Sequence, residues 1–468
     1  MANEQVPVER LRAYLSEMAP EARALLIKAL DRNALQGASI PGAEIILEAL
    51  RPALSRGPAQ PPRIGNPARL FFRPLEPFLV DPGPARDLPG RIERTSLAPL
   101  WEWVGRDLLP EEASAFSRQA SDALLAGDAA RGEALASAFR AQVTDAITRN
   151  LGEAGTDNRL RRRMTAQIAL PRAVASLQTM HGVLRHRAAL EQIGAKLPTI
   201  ISNLDGFQLD NVIGLIRRSA AGSPDLLLLA LILVMNRLGA SWQLIRLAIR
   251  SAESDLAQRV AQSALALAVT LVLAELRCAI EELRGTFRSG RLADAPSACR
   301  KLHDAIRAVR TELDLSADTA WSREFASVRS DIADLLEGEI EATPGLVRRL
   351  LRPRPARDII SGARLEELDV AEAEARIALA EVCRHCAGEL ALNQVAPRVH
   401  AELRQYFDTG TPGLLDSLRG AAASDRPYRQ SQVDAAMRFA GRLFGAEYAT
   451  LLGKAAAIAA ADSKALRA

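Results

Sequence analysis

Aromatic residues are scarce in this 468-residue chain, at 4%, and valine and isoleucine are sparse beside alanine and leucine. Pleated sheets favour β-branched and aromatic side chains, so their shortage argues against a sheet-built fold. Lysine is scarcer still. It occurs only at Lys28, Lys196, Lys301, Lys454 and Lys464, and arginine supplies the rest of the 60 basic residues. A GC-rich bacterial coding sequence has this bias. Four cysteines, Cys278, Cys299, Cys383 and Cys386, are too few and too unevenly spaced for a disulfide framework. The opening stretch "MANEQVPVERLRAYLSEM" has no apolar core of the length a secretory signal needs. Together these point to a reducing, cytoplasmic location.

Catalytic signatures are missing as well. There is no P-loop, no G-x-G-x-x-G between strand and helix, no G-x-S-x-G, no H-E-x-x-H and no EF-hand loop. The sequence therefore leans away from an enzyme and implies no cofactor. Long hydrophobic runs are also lacking. The strongest, "LLLLALILVM" at Leu226–Met235, would be about 15 Å long as a helix, half of a ~30 Å hydrocarbon core. Ser223-Pro224 before it reads as an N-cap with proline in the first turn. This run and the uncharged one at 260–274 fit helices buried at the centre of a bundle.

What the chain has in quantity is alanine, leucine, arginine and glutamate, all strong helix formers. With 48% hydrophobic and 25% charged residues, it has the make-up of a folded globular chain. The fold class is all-α: a multi-helix bundle of antiparallel helical hairpins, with an irregular solenoid-like arrangement left open. A long helix is expected over 253–287. Three stretches, "LLAGDAARGEALASAF", "FRSGRLADAPSACRKL" and "YFDTGTPGLLDSLRGA", share a glycine turn followed by a helix of small residues. Their spacing is irregular, and the 34-residue period of a regular helical array is absent. The expected segments are an N-terminal helical unit at 1–56, a Pro-rich extended strap at 57–100, a central bundle at 101–343, an Arg/Pro-rich connector at 344–363 and a C-terminal helical unit at 364–468.

The strap contains an anomaly. Prolines crowd residues 57 to 100, yet "ARLFFRPLEPFLVDPG" carries Leu70, Phe71, Phe72, Leu75, Phe78, Leu79 and Val80. Seven such side chains are worth roughly 10 to 20 kcal/mol on burial, against a domain's net stability of ~5 to 15 kcal/mol. Such a segment does not stay in water. Its prolines point to extended backbone, and the expectation is a strap in an apolar groove. That groove belongs either to its own helical body or to a partner that Leu70, Phe71, Phe72, Phe78 and Leu79 would dock on. Trp101 and Trp103 would anchor its far end.

Two polar constellations remain. "CRKLH" places Cys299 and His303 at i and i+4, and "EVCRHCAGE" places Cys383 and Cys386 at i and i+3. Two facing helices could combine these four into the S/N ligand set that zinc favours. The run "VRRLLRPRPAR" holds Arg348, Arg349, Arg352 and Arg354, which can neutralise phosphates of anionic headgroups or nucleic acid. The acidic stretches on either side offer the same arginines intramolecular partners. No aromatic interleaving supports base stacking, so nucleic acid is the weaker option. The leading functional expectation is a non-enzymatic interaction or scaffold protein with a protein partner. Its alternatives are a helical metal-binding protein using Cys299, His303, Cys383 and Cys386, and a peripheral membrane-associated protein using the arginine clusters.

Overall fold

The computed structural model describes residues 66–81, 88–168, 170–220 and 222–465, with isolated positions before residue 66. The expected helical unit at 1–56 lies outside the described residues apart from those positions. The protein is all-α. Strand among the described residues amounts to one parallel pair, β1 (Leu79–Val80) with β2 (Ile92–Glu93), and two isolated bridges. Among the described residues no helix is long and apolar enough to cross a membrane. The chain divides into two compact units. Unit 1 holds residues up to Pro82, Gly90–Lys196 and Ser219–Leu233, so it is built from separate stretches of chain; unit 2 holds Gly83–Pro89, Leu197–Arg218 and Val234–Ala468.

In unit 1 the Phe-rich piece folds as helix α1 (Pro67–Phe72), followed by a 3₁₀ turn over Arg73–Phe78. It is helical where extended backbone was expected, and the placement of the prolines explains why. Pro67 and Pro74 fall in first turns, where the missing N–H has no partner to lose. Asn66 caps α1, its Oδ1 accepting from the Arg69 N–H at 2.7 Å. Only Leu79 and Val80 are strand.

Helices α2 (Leu97–Trp103), α3 (Pro110–Ala126) and α4 (Ala129–Thr156) receive this piece. Phe71 has ring centroids 5.0 Å from Phe72, 5.5 Å from Trp101 and 5.4 Å from Phe139, and Phe116 stacks on Phe139 at 4.7 Å. Offset and edge-to-face ring pairs of this kind add to plain area burial. Below them lies Arg140, 2% exposed. Its Nε donates to the Phe71 carbonyl at 2.9 Å, its Nη2 to the Leu70 carbonyl, and its Nη1 to Glu133 Oε1 at 2.6 Å. A guanidinium thus satisfies carbonyls that the short α1 leaves without N–H partners.

Unit 1 continues through α5 (Asn158–Ile168), α6 (Pro171–Arg185) and α7 (Arg187–Lys196). Most of α9 (Pro224–Met235), which follows α8 (Gly206–Ala220), also belongs to it. The apolar run of α9 is a buried helix, as expected, with Ala230, Leu231 and Ile232 fully shielded. Its approach to the chain at Gly90 is so close that a Cβ there would lie 2.4 Å from Ile232 Cδ1, and Gly90 also has φ +71°. Only glycine meets both demands at low cost.

Unit 2 does not contain the single long helix expected over 253–287. Helix α10 (Ile245–Ala252) ends where Glu253 turns left-handed at φ 50°, α11 (Ala257–Val260) is one turn, and α12 runs over Leu267–Arg288. The bridge between Leu256 and Asp314 holds the break. Beyond it come α13 (Ala295–Glu312), α14 (Ala320–Glu341), α15 (Thr343–Leu351), α16 (Glu367–His385), α17 (Val395–Arg419), α18 (Arg426–Phe444) and α19 (Ala446–Ala465). A capping box between Thr319 and Ser322 starts α14. Helix α17 passes straight through Pro412, where a glycine turn was expected. The hydroxyls of Thr409 and Thr411 donate to the carbonyls of Gln405 (2.9 Å) and Phe407 (2.6 Å), back-bonds that take up backbone acceptors beside the interruption.

Packing in unit 2 advances along the chain. α12 lies on α13 and α14, α14 on α16 and α17, α16 on α17 and α18, and α17 and α18 both on α19. Each helix finds its main neighbours within a few elements of itself, the pattern of stacked hairpins.

Candidate functional site

Helices α13 and α16 pack together and bring Cys299, Cys383 and Cys386 into one place. Cys299 and Cys383 are fully buried and Cys386 is 8% exposed. The neighbouring Cys299 thiol, then burial, pushes the Cys383 thiol far up from its ordinary value. Burial first, then the neighbouring Cys299 and Asp304, also raises Cys386. His303 does not join the cysteines: its Nδ1 lies 3.0 Å from Asp304 Oδ1. Among the described residues no group of three or more His, Cys, Asp or Glu side chains is arranged to hold a metal. The three cysteines meet because α13 and α16 pack on each other, and all three are buried.

Behind Cys386 a shallow cavity of ≈ 380 Å³ is lined by Arg300, Glu381, His385 and Arg442 among others. His385 Nδ1 lies 2.7 Å from the Glu381 carbonyl oxygen, and its Nε2 lies 3.2 Å from Arg384 Nη2. Glu381 Oε1 lies 3.1 Å from His400 Nε2 without hydrogen-bond alignment. Burial depresses His400, against the opposing pull of Glu381. Burial likewise depresses His181 and His186.

The docking residues of the Phe-rich piece are turned inwards. Phe71, Phe72 and Phe78 are buried within unit 1, while Leu70 and Leu79 are half-buried. Of the arginine run, Arg348 pairs with Glu402 on α17, and Arg354 lies over the Tyr428 ring at 5.5 Å. Arg349 and Arg352 are exposed.

The connector after α15 is pinned to the start of α18 by a polar centre. Gln432, 1% exposed, donates through Nε2 to the carbonyls of Leu350 (2.9 Å) and Arg352 (3.0 Å). Asp425, 3% exposed, accepts from Arg429 Nε at 2.6 Å. Several buried polar atoms around this centre have no hydrogen-bond partner among the described residues: Asp425 Oδ1, Arg426 Nε and Nη2, Tyr428 OH and Gln432 Oε1. Native proteins leave few such atoms, and a concentration of them points to bound water, an ion or a ligand. Next to them, a cavity of ≈ 660 Å³ opens between α18, α19 and the loop residues Arg364 and Ala423. A further cavity, ≈ 460 Å³, lies where α12 and α13 meet the turn at Ser241–Leu244 and is lined by Trp242, Glu275, Glu282, Asp294 and Lys301.

Asp425 gives this centre a pH signature. Burial alone would raise its carboxyl, but the hydrogen bond and charge of Arg429, with backbone donors, hold it below the ordinary carboxylate value. A depressed carboxylate contributes stability that is complete above the unfolded value of about 3.9 and is lost as pH falls through the folded value. The melting-temperature gap between the wild type and Asp425→Asn is therefore expected to stay level from pH 6 to about pH 5 and to shrink as the pH falls below about 4. A gap that stays constant down to about pH 3 would show that the pair contributes nothing through ionisation.

No family model matches the chain, and no curated protein or solved structure matches it.

Proposed function

We propose that the chain is a non-enzymatic interaction protein whose unit 2 is a stack of helical hairpins that receives an amphipathic helix of a protein partner. The observation that carries this reading is the outer face of α19. That helix packs on α17 and α18 through Leu452, Ala456 and Ala459, which are buried. Its other face presents Leu451 at 65% exposure and Ile458 at 61%, seven residues apart and so on one stripe. Leu451 and Ile458 flank the exposed Lys454 on this stripe, with the residue spacing that helix-on-helix packing uses.

The test is a Leu451→Glu/Ile458→Glu double variant of the full chain, compared with the wild type for stoichiometric co-purification from the native host. The expected outcome is loss of one helical partner with less than about 0.5 kcal/mol change in stability, as for exposed substitutions. A wild type that purifies alone as a monomer would count against the reading. A wild type that self-associates through this face would replace the partner with a second copy.

A further inference from the structure

We propose that the cavity between α18 and α19 is a binding site for a small oxyanion-bearing molecule, with the side edge of Arg426 as its anchor. The starting point is a cation without a counter-ion. Among the described residues, Nε and Nη2 of Arg426 are shielded from solvent and have no hydrogen-bond partner. These two nitrogens form one edge of the guanidinium, the fork that matches the two oxygens of a carboxylate or phosphate. Arg426 lines the ≈ 660 Å³ cavity.

The nearby acids do not reach this edge: Asp425 accepts from Arg429 through Oδ2 at 2.6 Å and leaves Oδ1 without a hydrogen-bond partner, and Asp434 accepts from the Gln430 amide at 2.9 Å. A second arginine, Arg364, lines the same cavity and likewise has no ion-pair partner among the described residues. Two arginines against the single carboxylate of Asp434 leave the lining with a positive balance. Ser431 is not a free donor, since its hydroxyl donates to the Tyr428 carbonyl and accepts from the Leu365 N–H.

The remaining wall sets the size and character of the ligand. Ala457, Ala460 and Ala461 on α19 face the arginines across the space, with Ala423 and Pro427 at its margin. Small apolar side chains leave room for a short hydrocarbon or ring portion beside the oxyanion. A desolvated charge is stable only when paired, and an oxyanion seated on the Arg426 fork would complete the site. The anion could be a carboxylate or a phosphate; both share the fork chemistry, and the experiment separates them.

Calorimetric titration of the full chain with inorganic phosphate, and separately with butyrate, tests the proposal. Saturable one-to-one uptake of at least one probe is expected. Preference for phosphate would indicate a phosphorylated ligand, and preference for butyrate a carboxylic acid. Arg426→Lys keeps the charge but loses the fork, and should weaken binding about tenfold or more. Arg426→Met should abolish it, and Arg364→Met should weaken it less. Because the Nε–Nη2 edge of Arg426 makes no internal hydrogen bond in the absence of ligand, both Arg426 variants should melt no lower than the wild type when unliganded. A structural arginine would fail that last condition. Absence of uptake of either probe up to about 10 mM, or unchanged uptake by Arg426→Lys, would overturn the assignment.

Discussion

Replacing Phe71 with alanine lowers the stability of unit 1 by about 3 to 5 kcal/mol, the cost of a large aromatic cavity in a packed core. Phe71 is fully buried and touches Phe72, Trp101 and Phe139. Its loss removes one ring from a five-ring cluster and unseats the piece of chain it anchors. In a unit of this size the expected fall in melting temperature is roughly 8 to 15 °C. The half-buried Leu79, cut to alanine, gives a much smaller shift and serves as the control. If Phe71→Ala melts within about 1 °C of the wild type, the Phe-rich piece contributes little to the core and its side chains are available for another surface.

Arg140→Met is the second large effect, expected at about 3 to 5 kcal/mol in urea titration. The reasoning differs from that for an exposed ion pair. Glu133 is 39% exposed and lies 3.6 Å from Arg73 and 3.7 Å from Arg187, so its charge is screened and shared. The main cost falls on the Leu70 and Phe71 carbonyls, which lose their donor inside the protein at about 1 to 3 kcal/mol each. Glu133→Gln should therefore cost no more than about 1 kcal/mol. Equal losses for the two variants would mean that the ion pair, and not the capping of α1, dominates.

The all-α class was legible because alanine, leucine, arginine and glutamate favour helix wherever they are placed. The burial of α9 and the Ser223 cap were legible for the same local reason. Burial of the Phe-rich piece could be argued from side-chain size alone, but its conformation could not. The preference of residues before proline for extended backbone gave way to the Asn66 cap and to Arg140, which comes from a helix about 70 residues away. The end of α10 at Glu253 has no glycine to announce it. For the cysteines, spacing shows which residues share a helix face, while which faces meet, and that His303 lies against Asp304 instead, depends on packing. The polar centre at α18 was illegible because its partners are distant: Gln432 reaches a carbonyl 80 positions earlier. Arg426 and Gln432 read in sequence as ordinary members of a polar helix face.

Unit 1 is assembled from chain that is not consecutive, and this affects the order in which it can form during synthesis. A ribosome extends the chain at about 5 to 20 residues per second, and domains tend to close as soon as their parts are available. The stretch Leu197–Arg218 belongs to unit 2, yet it is made before Ser219–Leu233, which unit 1 requires. Until that last piece emerges, the surface around Gly90 that Leu228 and Ile232 cover has nothing against it. The nascent chain must therefore hold an unfinished apolar face open for the length of one inserted segment. A nascent chain halted at Lys196 would display that face, and the N-terminal unit cannot be isolated intact by cutting there.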